Sequence, residues 1–136
     1  MDIFKVKRGK IAGSEVKEVK KEALEVYKEI KNRTKRKPYI RSRYFNKQKI
    51  FFDYFWIHLT TKSRKIQTQR LKYLPCAIDL IIHSRNVPTS KENPNNRNEI
   101  LHRFFGITRE NEEFYVQIKE EKKTGAKYLM SVFGNE

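Results

Sequence analysis

The chain has 136 residues, 31 of them Lys or Arg against 16 Asp or Glu, for a net charge of +15 and a pI near 10.0. That length holds one domain with at most an added arm, and no apolar run approaches the roughly 18 residues that a membrane span requires. The opening MDIFKVKRGKIAG lacks the apolar stretch of a secretory signal, so a cytoplasmic protein is expected, and a single cysteine excludes a disulfide framework or a four-cysteine zinc site.

Residues 2–7 set Ile3, Phe4 and Val6 among lysines and predict a short strand. Gly9 and Gly13 break the chain, and Ser14 is a suitable N-cap. Val16, Val19, Ala23, Val26 and Ile30 then recur every three or four residues, which predicts an amphipathic helix over 14–33. The Lys37-Pro38 step ends it, because a residue before proline is pushed out of the helical region. Residues 34–46 read as a basic, extended connection. The segment KIFFDYFWIHL (49–59) is apolar almost all round, as a buried helix would be, although its aromatics also suit a strand; a helix is expected.

After a break at Thr60, Thr61 and Ser63, a helical pattern runs over 64–83, and Pro75 must either kink it or start a second helix. Residues 84–98, rich in Asn, Ser and Pro, read as a loop. The period then changes to two. Strands are expected over 101–108, around Phe114, Val116 and Ile118, and over 128–133, with turns between them. On this pattern Phe114, Val116, Ile118, Tyr128, Met130 and Val132 face the core. Tyr115, Gln117, Lys119 and Ser131 face away. The expected fold is α+β, with N-terminal helices packed on one face of a C-terminal antiparallel sheet. Residues 1–38 form a strand-and-helix arm and 39–136 the main domain.

The charge is concentrated. Residues 31–72 hold 14 basic residues against one acidic residue, Asp53, with Tyr39, Tyr44, Phe45, Phe51 and Phe52 interleaved. Cations neutralise phosphates and aromatic rings stack on bases, so RNA is the expected partner and Arg36, Lys37, Arg41, Arg43 and Tyr44 are candidate contacts. A solvated, self-repelling run is the plainer alternative.

Four segments carry a family resemblance: YIRSRYFNKQKIFFDYFWIHL, RLKYLPCAIDLI, LHRFFG and FYVQIKEEKKTGAKYLMSVF, together spanning about residues 39–133. The chain resembles the barnase/EndoU/colicin/RelE-like ribonucleases, in particular their phage- and mobile-element-associated branch. The resemblance implies helices on one face of an antiparallel sheet, RNA cleaved on the other, and no metal. It implies a base that activates the RNA 2′-hydroxyl, a cation that stabilises the phosphorane, and a 2′,3′-cyclic phosphate product. Colicin-type members use a His, a Lys and a Ser or Thr, residue types that this chain carries. The resemblance also implies a toxin that cuts tRNA or mRNA and travels with an inhibitor, here an acidic antitoxin or immunity protein attracted by the basic region. The alternatives are a non-catalytic RNA-binding module, or an interaction protein that uses helix 14–33.

Such chemistry needs a group titrating near neutrality and fixed cations. His58 lies in the basic zone, and Lys62 shares its face if the helix extends one turn; a core histidine bonded to a carbonyl is the alternative. His102, beside Arg103, is a second candidate or a polar surface position. His83, at the end of an apolar helix, reads as structural. Lys119 is the candidate transition-state cation, and Ser131, Tyr115 and Gln117 share the outer sheet face with it. Arg70 is a phosphate ligand or a surface charge, and Cys76 a small buried residue. No nucleotide or cofactor motif is present, and the histidines are too dispersed in sequence to suggest a metal site.

Overall fold

The computed structural model describes residues 3–135. Asp2, the first residue of the predicted 2–7 strand, lies outside them. In chain order the elements are β1 (Ile3–Lys5), α1 (Val16–Arg33), β2 (Tyr39–Ser42), β3 (Gln48–Phe51), α2 (Asp53–Thr60), α3 (Arg64–Leu71), α4 (Leu74–His83), β4 (Thr89–Asn93), β5 (Asn96–Ile107), β6 (Glu113–Glu121) and β7 (Lys127–Gly134). The α+β class holds. No helix among the described residues is long and apolar enough to cross a membrane.

Helix α1 begins at Val16 with Glu15 at the cap position, so Ser14 falls one residue short of capping it. Its apolar stripe buries Val19, Ala23 and Ile30. Ser63 caps α3, its hydroxyl accepting the Ile66 N–H at 3.3 Å. Pro75 stands in the first turn of a separate helix, α4, where its missing N–H costs nothing. The 64–83 pattern is therefore two helices. One hydrophobic core runs from Val6 and Ile11 through the helices to Val132. Phe52, Phe55 and Phe114 are its largest fully buried side chains, each worth about 3–5 kcal/mol against truncation to Ala.

The predicted meander β5–β6–β7 is present and antiparallel, but the sheet is mixed rather than antiparallel. Its order is β1-β5-β6-β7-β3-β2, with β4 also on β5. Strand β1 runs parallel to β5 and β3 parallel to β7. Three expected non-strand segments contribute to it. The 34–46 connection contains β2. The 84–98 loop contains β4, which pairs with the N-terminal half of β5. The 49–59 segment opens as β3 and becomes helical only at Asp53. Within β3 Ile50 is buried and Phe51 half-buried, the alternation of a strand with one core face.

Phe114, Val116 and Ile118 do face the helices. On β7 the parity changes: Gln117 opposes Ser131 but Ile118 opposes Leu129, so Met130 is the extra residue of a bulge. Leu129, not Met130, is the fully buried core residue, and Tyr128 moves to the face shared with Lys119. That second face is partly open: Arg103 is exposed and Tyr115, Gln117, Tyr128 and Phe133 are half-buried, while Lys119 and Ser131 are buried.

Candidate nucleic-acid interface and active site

Cross-strand pairing places Arg103, Phe105, Tyr115, Gln117, Phe133, Ser131, Lys119, Tyr128, Phe51 and Tyr39 on one open face. Strand β3 is bonded only to the first residues of β7, and α2 continues alongside the rest. This geometry makes α2 a wall beside the face. Phe55 and Leu59 turn into the core. Tyr54 reaches over the face, its ring 4.9 Å from that of Tyr128 and edge-on to it. His58 follows Tyr54 by one helical turn and so lies on the same side of α2.

His58 is half-buried. Burial first, then the positive charges of Lys62 and Arg70, hold its imidazole below the ordinary 6.5. Sequence reasoning linked His58 to Lys62; the fold adds Arg70 from α3. The Arg70 guanidinium lies over the Phe133 ring at 5.5 Å, and Arg103 covers the same ring at 5.3 Å. Arg103 also donates to Gln117 Oε1 at 3.0 Å, and Gln117 opposes Ser131. Tyr115 and Phe133 stack at 5.4 Å with planes 28° apart. Arg70 therefore links His58 and Lys62 electrostatically to the end of the face that carries Phe133, Tyr115, Arg103, Gln117 and Ser131. Arg103 and Phe133 were missed as site residues, although alternation from His102 and Ser131 was a sufficient signal for both.

Lys119 shares this face but is not a free cation. Its side chain is 9% exposed, its ammonium lies 3.2 Å from Glu99, and the Tyr54 ring sits 3.5 Å beneath it. Glu99 also accepts from Asn93 at 2.9 Å. The ammonium ties β6 to α2 and β5, a positioning role.

His102 falls on the opposite, core-facing side. It is buried, with Nδ1 2.6 Å from Ser90 Oγ and Nε2 2.8 Å from Glu120, and the Phe45 ring packs beside it. Both ring nitrogens are occupied and the sheet separates it from Ser131. Its chemistry is that of a hydrogen-bonded core histidine, which neither alternative drawn from sequence anticipated. His83 pairs with Asp79 at 3.5 Å near the end of α4. Cys76 is buried, its thiol pushed up to about 12 by that burial. Among the described residues no three His, Cys, Asp or Glu side chains cluster as metal ligands would.

The basic cluster is divided by β2. Arg36 and Lys37 line a cleft of about 700 Å³ with Arg33, Lys35 and Lys49, floored by Tyr39 and Phe51 of the open face. The Lys37 ammonium also meets Asp53 at 3.1 Å, which raises its pKa. Lys49 lies 4.7 Å over Tyr39. Tyr39, Phe51, Tyr128 and Tyr54 then form a chain of ring contacts at 4.9–6.0 Å that leads toward His58. Arg43 and Tyr44 lie round the β2 edge in a second cleft, and Arg41, 5.4 Å over Tyr39, stands between the two.

No family model, curated protein or solved structure matches this chain.

Proposed function

We propose that the chain is a metal-independent endoribonuclease of the kind it resembles, a toxin or effector that cuts tRNA or mRNA on the open sheet face. The observation that carries this reading is the link through Arg70 between His58 and Lys62 and the end of the face that carries Arg103, Gln117 and Ser131, where a track of aromatic rings and cations ends. A neutral imidazole at pH 7 can take the RNA 2′-hydroxyl proton as that oxygen attacks phosphorus. Arg70 and Arg103, both over Phe133, then stabilise the charge on the phosphorane oxygens. The half-buried Tyr115 offers its hydroxyl to the departing 5′-oxygen, whereas Ser131 is only 6% exposed. Bases stack along Tyr115, Tyr128, Phe51 and Tyr39. Lys119 moves from transition-state cation to a residue that holds Tyr54, and through it the α2 wall.

The test is total RNA incubated with the chain in EDTA. Cleavage should persist and leave 2′,3′-cyclic ends, and DNA, which lacks the attacking hydroxyl, should remain intact. Loss of activity on chelation, or cleavage of DNA, overturns the reading. One observation favours the non-catalytic RNA-binding alternative: the lysine expected to serve catalysis is already neutralised by Glu99. RNA binding without any cleavage would select it. An acidic inhibitor protein over the same face completes the proposal. Expression of the chain alone should then be toxic and a His58→Ala version tolerated; harmless expression of the unaltered chain counts against the toxin role.

A further inference from the structure

The open face is not the only basic surface. The β2–β3 turn and the C-terminal end of α4 enclose a cleft of about 920 Å³ lined by Arg41, Arg43, Lys47 and Arg85, with Tyr44 and Ile82 as its apolar part. Its shape is tied to the backbone. The Arg43 N–H donates to Ile81 O at 3.1 Å, which fixes the turn against α4. Asn46 and Lys47 both have positive φ, 55° and 65°, and Arg41 donates to Lys47 O at 3.0 Å.

Among the described residues no carboxylate pairs with Arg43, Lys47 or Arg85. The nearby Asp79 is engaged by His83 and by the Lys7 N–H. Several like charges facing one cavity repel one another unless an anion enters it.

Between this cleft and the one on the open face lies a narrower groove of about 350 Å³, which shares Arg33, Thr34 and Tyr39 with the open-face cleft and Arg41 and Ile82 with this one. Its waist is apolar, formed by Ile30, Ile40 and Ile78. The three in sequence trace a path that bends round the β2 edge, with cations at both ends, an aromatic ring in each basic cleft, and Arg41 at the bend.

We infer that this path holds one RNA strand that wraps the β2 edge, its backbone phosphates engaging Arg43, Lys47 and Arg85 beyond the segment that lies on the sheet. The inference rests on the RNA reading of that face and adds its substrate class: a long, flexible single strand in preference to a short oligonucleotide. Strand β2 has four residues, a short edge for a peptide to extend as a further strand. The spaced cations suit a phosphodiester backbone better.

The experiment uses non-cleavable 2′-O-methyl oligonucleotides, so binding is read on the full chain whether or not it cleaves RNA. An oligomer of about 4 nucleotides fits the sheet face alone, and one of about 20 spans both clefts. In the Lys47→Asn, Arg85→Ala double variant the longer oligomer should bind several-fold more weakly. Its salt slope should fall by about 1.4, from about 0.7 for each lost phosphate contact on a single strand. Binding of the short oligomer should be unchanged, which also reports that the variant is folded. An unchanged affinity and slope for the long oligomer overturns the inference. So does a variant that loses binding only to poly-glutamate, which would make this cleft a site for an acidic polypeptide. Failure of wild-type chain to cleave natural RNA would defeat the ribonuclease reading and leave this binding test intact.

Discussion

Replacing Lys119 by Ala should unfold the protein more readily rather than merely slow it. The Lys119 and Glu99 side chains are 9% and 15% exposed and their charged atoms 3.2 Å apart. Removing one partner leaves the other charge nearly buried and unpaired, a loss of about 3–5 kcal/mol. Some exposure remains, and Asn93 still bonds Glu99, so the lower figure of about 3 kcal/mol applies. For a domain of this size that is a fall in Tm of roughly 10 °C. In the Ala variant, loss of the whole side chain packed on Tyr54 also frees the α2 wall. The double variant Lys119→Met, Glu99→Gln removes both charges and keeps side chains of similar length, so most of the stability should return. The assay is urea denaturation of the unaltered chain and the two variants, with RNA cleavage measured on each. If Lys119 only positions Tyr54, the double variant is both stable and active. A Lys119→Ala chain of wild-type stability and no activity, or a stable double variant with no activity, refutes this reasoning and returns Lys119 to the transition state.

The remaining expectations concern the site and its support. His58→Ala should lower cleavage by roughly 10²–10⁴-fold, and His102→Ala should act through stability, as separate melting and rate measurements would show. Because the folded His58 pKa lies below 6.5, the base is neutral above that pH and activity falls only as pH drops through the lowered value. Removing the Arg70 or Lys62 charge raises that value, so the acid limb of kcat/KM moves to higher pH; an unmoved limb in both variants dissociates His58 from the rate. The same sign applies to folding: the unfolded chain protonates His58 first as pH falls, so this residue weakens the fold only below about 6.5. Arg36→Ala with Lys37→Ala should reduce the salt slope of RNA binding by up to about 1.4, and an unchanged slope would show that the 700 Å³ cleft does not touch the backbone. Gly106→Ala would put a methyl 2.5 Å from the Phe114 ring and 2.9 Å from Leu80, a clash worth about 1–3 kcal/mol by denaturation.

Elements whose cause is local were legible in the sequence. The spacing of Val19, Ala23 and Ile30 describes α1, Pro75 marks the start of α4, and the alternation of Phe114, Val116 and Ile118 identifies β6 and its core face. Charge and aromatics singled out residues 31–72 as the basic surface, and alternation alone put Tyr115, Gln117, Lys119 and Ser131 on one face. Other features depend on partners distant in the chain. Residues 48–51 are extended because Ile50 and Phe51 bond to Lys127 and Tyr128, and 89–93 because β5 passes beside them. Neither segment carries enough periodicity to reveal this. The bulge at Met130 resets the parity of β7, which no alternating pattern can announce. The site follows the same division. His58 was visible as a residue, but its approach to Arg70 needs α2 to run beside β7 and α3 to fold back on it. The pairing of Lys119 with Glu99 and the burial of His102 against Glu120 also arise across strands. One-dimensional order lists the cations of residues 31–47 as a single run; only the packed sheet, with β2 at its edge, divides them between two clefts on either side of a narrower groove.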